Sequence, residues 1–135
     1  LLHGAVDDLR YRSNVSGYDG PVPAGVHGLS NALLNTPWPK VQHAKQRLTQ
    51  LIGADEPDTE SLFRLLDDTE QALDSDLPDT GLDLPRERAL SSIRIALPGY
   101  GTRCSTVVLV DHAGQVRFEE RTHGTGKVVV ERFTL

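Results

Sequence analysis

The hydrophobic positions along the chain change period twice. From Leu9 to Asn14 apolar and polar residues alternate, with Leu9, Tyr11 and Ser13 set against Arg10, Arg12 and Asn14. That two-residue period predicts a short half-buried strand. Ser16 to Gly28 then holds four glycines and two prolines and reads as loop. A helical period follows. Thr36 is a suitable cap, Pro37 suits the first helical position, and Pro39 falls in the first turn, where a missing N–H costs nothing. Trp38, Val41, Leu48, Leu51 and Ile52 recur at helical spacing and share one face, and Gly53 is placed to end the helix. A second helix is expected from Asp58 as N-cap, with Glu60 in its first turn and Leu62, Phe63, Leu65 and Leu66 as its apolar face, ending near 67–72.

The stretch from Asp74 to Pro85 is acidic, with two prolines and Gly81, and reads as a surface loop; a brief helical turn from Pro85 to Leu90 closes it. The last third reads as β. Ile93–Leu97 is a candidate strand. Thr106–Val110 is a continuous apolar one. Asp111-His112-Ala113-Gly114 makes a turn, Val116 and Phe118 alternate with Gln115, Arg117 and Glu119 on the return, and Val128–Phe133 forms a third strand. A strand apolar on both faces needs cover on both sides. Two helices can cover one side of Thr106–Val110, so the pattern implies that a second covering layer comes from outside these residues.

Composition adds boundaries. The 135 residues are 38% hydrophobic and 24% charged, with a net charge of -5. This suits a single globular domain and argues against nucleic acid or an anionic membrane surface as partner, which need a basic face. No apolar run approaches the roughly 20 residues that span a bilayer. Cys104 is the single cysteine, and a lone thiol suits a reducing, cytoplasmic setting. The sequence opens Leu1-Leu2-His3-Gly4 and contains no methionine. The expectation is that further residues precede Leu1.

Three blocks are distinctive. They are Gly28-Leu29-Ser30-Asn31-Ala32-Leu33-Leu34-Asn35-Thr36-Pro37-Trp38-Pro39-Lys40; Leu77-Pro78-Asp79-Thr80-Gly81 with Glu87-Arg88 and Leu90-Ser91; and Tyr100-Gly101-Thr102-Arg103-Cys104-Ser105-Thr106 with Glu120-Arg121-Thr122. In this order they resemble the C-terminal half of the NRDE family, the family that includes Transport and Golgi organisation protein 2. The resemblance runs from about Leu9 to Thr122 and is carried most specifically by the first block. It implies an α+β chain, residues 1–135, forming part of an Ntn-hydrolase-like αββα sandwich, with an antiparallel sheet and helices packed on one face. It also implies an N-terminal half bearing a cysteine and the Asn-Arg-Asp-Glu signature, neither of which occurs here. At Cys104 the family more often has serine. Heme handling, lipid or coenzyme A metabolism and secretory organisation are associated with the family.

The candidate ligand-binding residues are Ser30, Asn31, Trp38, Arg103 and Ser105. Ser30-Asn31 can form a polar pocket wall, or tie down its own loop through backbone hydrogen bonds. Trp38 can line a pocket for a flat ligand or simply fill core. Arg103 can bind a carboxylate or phosphate, with Ser105 or Thr106 assisting, or pair with Glu119 or Glu120 across the hairpin. Cys104 has no identifiable base and reads as a small hydrophobe. The histidines His3, His27, His43, His112 and His123 show no metal-ligand spacing, so no metal site is expected; His112 falls in a turn and reads as solvated. The acidic run reads as a solvated face. No catalytic residue is assigned. The expected function is ligand handling, with heme, a lipid or an acyl carrier as ligand and heme a candidate cofactor. The partners are the N-terminal half and that small molecule. The alternative is the pocket-forming half of an N-terminal-cysteine amide hydrolase.

Overall fold

A computed structural model of the chain describes residues 2–3, 8–54 and 58–135. His3, among the histidines considered above, has a side chain outside this description. The class is α+β: the described residues form three α-helices and three small antiparallel sheets. Strands β1 (Leu2–His3), β2 (Arg10–Arg12) and β3 (Asp19–Pro21) form the first sheet. Helices α1 (Pro39–Ala54), α2 (Thr59–Leu66) and α3 (Leu84–Leu90) follow. A hairpin of β4 (Ala96–Leu97) and β5 (Tyr100–Gly101) leads into the main sheet of β6 (Cys104–Val110), β7 (Gln115–Thr122) and β8 (Val128–Thr134).

Several elements sit where the pattern placed them, and the differences have local causes. Tyr11 and Ser13 are buried on the predicted strand, but a third strand pairs with it inside the expected loop. Gly20 makes this pairing possible. The Tyr18 ring folds over it, and a Cβ there would lie 2.5 Å from Tyr18 Oη. Pro21 sits at an edge, where its missing N–H interrupts no ladder.

Helix α1 begins at Pro39 rather than Pro37. A residue before proline is pushed out of helical conformation, so Trp38 cannot join the first turn. Its carbonyl instead accepts from Val41 N (2.9 Å) and Gln42 N (3.0 Å), which places Trp38, not Thr36, at the cap position. Gly53 does not terminate the helix; it is helical, and α1 continues through Ala54. Ile52, assigned to the buried face, is 48% exposed.

Asp58 caps α2 as its sequence implies, accepting from Ser61 N at 2.8 Å. Phe63 and Leu65 are buried beneath it. Asp83 caps α3 in the same way, with Pro85 in the first turn. Of the candidate strand 93–97 only Ala96–Leu97 pairs; Leu97-Pro98-Gly99-Tyr100 turns it straight back, with Gly99 at φ 75°. The Asp111–Gly114 turn is as read: Asp111 Oδ1 accepts from Ala113 N (2.9 Å) and Gln115 N (2.8 Å), and Gly114 adopts φ 74°.

The main sheet has two unlike faces. Cross-strand partners share a face. The ladder pairs Ser105 with Arg121, Val107 with Glu119 and Leu109 with Arg117. This face meets α2, since Arg121 reaches both Phe63 and Glu60. The opposite face carries Val108 beside Phe118, Val110 beside Val116, and Phe133 beside Val116. Val108 is 54% exposed and Phe133 51%. The helices therefore cover the more polar face of β7; on the apolar face Val116 is buried and Phe118 half-buried, while Val108, Val110 and Phe133 around them stay exposed.

Candidate functional site

The clearest concentration of chemistry lies between α2 and the main sheet. A cavity of about 440 Å³ opens there, walled by Glu60, Phe63, Arg64, Asp67, Ser105, Arg121, His123 and Val128, among others. The Arg121 guanidinium stacks over the Phe63 ring at 3.8 Å from its centroid. It also donates to Glu119 at 2.8 Å and to the Glu60 carboxylate. Glu119, only 3% exposed, accepts a further bond from Arg117 at 2.8 Å. The Arg117 hydrogen bond, reinforced by Arg121, holds the Glu119 carboxyl below the usual glutamate range. Arg121 likewise holds the Glu60 carboxyl down. Beside this ion network Ser105 Oγ lies 3.0 Å from His123 Nε2. His123 Nδ1 in turn lies 3.9 Å from Asp67 Oδ1, a carboxylate also paired with Arg94 at 2.7 Å.

The five residues singled out from the sequence do not converge. Ser105 lines the cavity under α2. Ser30 and Asn31 line a different one of about 450 Å³, with Tyr11, Ser13, Leu33 and Thr36. Trp38 and Arg103 are in neither wall. Trp38 is half-buried at the start of α1, with Lys40 Nζ 5.8 Å from its ring. Lys40 also donates to the Leu90 carbonyl at 2.9 Å, and burial lowers its pKa. Arg103 is exposed and forms no ion pair among the described residues, so the cross-hairpin pairing with Glu119 or Glu120 is not made. Cys104 is half-buried; burial and the adjacent Glu120 raise its thiol pKa, which disfavours the thiolate.

Two groups escaped the sequence reading. Asn35, at φ 60°, ties down the loop. Its Oδ1 accepts from Gly28 N (3.0 Å) and Lys45 Nζ (2.9 Å), and its Nδ2 lies 2.9 Å from His27 Nδ1. No local sequence signal separated Asn35 from Asn31. His123 and Arg121 were also missed as site residues. Counting back symmetrically from the Asp111–Gly114 turn would pair Val110 with Gln115 and Ser105 with Glu120; the actual ladder is shifted by one, Val110 with Val116, and sets Arg121 opposite Ser105, so the register was not readable from the turn.

A third grouping has metal-ligand composition: His43, Asp68 and Glu70 bring ligand atoms within 4.8 Å of one another. Asp68 Oδ2, however, accepts from both His43 Nε2 (3.0 Å) and Arg47, and its Oδ1 accepts from Glu70 N at 2.8 Å. Arg47 already supplies the cation at this carboxylate. The arrangement ties α1 to the end of α2.

Comparison with known proteins places this geometry in a lineage. The family model described as Transport and Golgi organisation 2 matches residues 1–125. The human Transport and Golgi organization protein 2 homolog is 36% identical over 109 residues, 73% of this chain and 38% of the human protein. The bovine homolog is 37% identical over 106 residues and the mouse homolog 35%, with the same coverage. The chain thus spans less than two fifths of the length of the curated relatives it matches. The sequence match runs through all three distinctive blocks, and on it the chain belongs to the Transport and Golgi organisation 2 family.

Proposed function

We propose that this chain supplies part of the binding site of a small-molecule-handling protein, and that further polypeptide of the same protein, its N-terminal half, covers the open sheet face. The observation that carries this reading is the apolar face itself. Val108, Val110 and Phe133 are exposed on one continuous surface, and such surface is normally buried against protein or ligand. A second sheet stacked there gives the Ntn-hydrolase-like sandwich that the family resemblance implies. The lone cysteine favours a cytoplasmic setting. No helix among the described residues is long and apolar enough to cross a membrane.

The ligand class is amphipathic: heme, a lipid or an acyl carrier. Apolar surface takes the greasy part, while Arg103, exposed and without an ion pair among the described residues, takes a carboxylate or phosphate. Ser30, Asn31 and Trp38 are further candidate contacts in this reading, while Ser105, on the helix-covered face of the sheet, is set apart from the apolar surface.

The test is titration of the intact protein with heme and with palmitoyl-coenzyme A, followed by heme absorbance and Trp38 fluorescence. Arg103→Ala and Trp38→Leu are each expected to weaken binding about tenfold, equivalent to about 1.4 kcal/mol. Saturable binding indifferent to both, or no binding of either ligand, overturns the reading.

A further inference from the structure

The Ser105 hydroxyl is 8% exposed, yet it forms part of the cavity wall beneath α2. Its Oγ is within hydrogen-bond distance of an imidazole nitrogen, His123 Nε2 at 3.0 Å. The other ring nitrogen faces a carboxylate, Asp67 Oδ1, at 3.9 Å. That second distance is long for a hydrogen bond, but free enzymes often hold such contacts loosely and tighten them when substrate binds. Asp67, a 60% exposed side chain at the end of α2, can close it only by shifting within its ion pair with Arg94, which holds the same Oδ1 at 2.7 Å. Three elements bring the groups together: β6 carries Ser105, the residue after β7 is His123, and Asp67 is the C-cap of α2. The His123 backbone is fixed by its N–H to the Arg103 carbonyl at 2.8 Å, which orients the ring toward β6.

We propose that Ser105, His123 and Asp67 act as nucleophile, general base and orienting carboxylate in the hydrolysis of small acyl esters. The activity goes beyond ligand handling and stands on its own geometry. Ser105 Oγ forms a bond to the acyl carbon while its proton passes to His123 Nε2. The bond from acyl carbon to the alcohol oxygen then breaks, and the leaving alkoxide takes that proton. Water enters, gives a proton to Nε2 and attacks the acyl-serine; the carboxylic acid departs and Ser105 recovers its proton. Ester and water become acid and alcohol, with no other reactant. Arg121 is committed to Glu60 and Glu119; Arg64, on the same cavity wall, donates to Ser61 Oγ at 2.8 Å and serves as the cation for the developing oxyanion on releasing that hydroxyl. Cys104, one residue from Ser105, is disfavoured as the nucleophile, because burial and the adjacent Glu120 carboxylate raise its thiol pKa.

The experiment uses the intact protein with p-nitrophenyl acetate and butyrate, together with a fluorophosphonate probe. Turnover is expected, with the probe mapped by mass spectrometry to Ser105 in the tryptic peptide 104–117. Ser105→Ala and His123→Gln are each expected to lower the rate by about 100-fold or more. Glutamine keeps a hydrogen bond to Ser105 but cannot take its proton, so a purely structural role predicts little loss. Iodoacetamide should leave turnover intact, which separates this serine from any cysteine elsewhere in the protein. Absence of ester turnover, probe labelling elsewhere, or full activity in Ser105→Ala overturns the proposal. If the variants do not fold, labelling of the wild-type protein decides alone. Trp38→Leu, which is not in this cavity wall, reports separately on ligand handling.

Discussion

Glu119 is a carboxylate almost out of contact with water, held by two arginines on the helix-covered face of the sheet. Its folded pKa is depressed, by Arg117 first and then Arg121. A depressed carboxylate stabilises the fold fully above its unfolded value, about 4.3, and loses that contribution as pH falls through the lower folded value. Urea unfolding measured from pH 7 to pH 3 should show stability falling in that acid window. Glu119→Gln should cost about 2 kcal/mol at pH 7 and flatten the acid dependence. An unchanged slope would remove Glu119 from the account. Asn35 makes a second prediction at this scale. Alanine there loses three side-chain hydrogen bonds and must still adopt φ 60°. Thermal or urea melts of Asn35→Ala should show a loss of about 2 kcal/mol. Asn31, four residues earlier, drew attention as a candidate loop tie. Nothing in local composition distinguishes the two asparagines, because the difference lies in which one meets Lys45 from α1.

At the scale of elements, α2 is anchored by one aromatic side chain. Phe63 is 5% exposed and stacked under Arg121, so it holds the helix to the sheet and walls the cavity. Phe63→Ala should cost about 3–5 kcal/mol by equilibrium unfolding. A loss below about 1 kcal/mol would mean that α2 is held by something else. The loop-to-α1 contact depends on Gly28, where a Cβ would lie 2.7 Å from Val41 Cγ1. Gly28→Ala should therefore destabilise by about 1–3 kcal/mol. Helices α2 and α3 and the turn at 111–114 were readable because caps, turn carboxylates and glycines act within a few residues. Strand β3 was not, because glycine and proline usually mark loops. Here their use depends on Tyr18 packing across Gly20 and on an edge position, both set by tertiary pairing.

Across the whole molecule, the accessible surface is 9304 Å². A compact protein of 14.8 kDa is expected to expose roughly 7,000 Å². Part of the excess lies on the main sheet, where Val108, Val110 and Phe133 face outward and β8 extends past the helices. Residues 1–135 produced alone should bind a hydrophobic dye such as ANS and self-associate in sedimentation experiments. Val108→Glu combined with Phe133→Ser should suppress both effects. A monomeric, dye-free wild-type polypeptide would show that this face needs no partner.

The sequence by itself determined the α+β class, the capped helix α2 and the turn of helix after Pro85, the three strands of the main sheet with the turn at 111–114, and, through three specific blocks, the family. These follow from interactions spanning a few residues and from motif order. Only the tertiary structure decided which face of β7 meets the helices, because alternation labels two faces without saying which is covered. It also decided which residues share a cavity. Ser30, Asn31, Trp38, Arg103 and Ser105 stand at separate places. Ser105, His123 and Asp67, spread over 57 positions of sequence numbering from 67 to 123, meet because strand pairing and the docking of α2 bring them together.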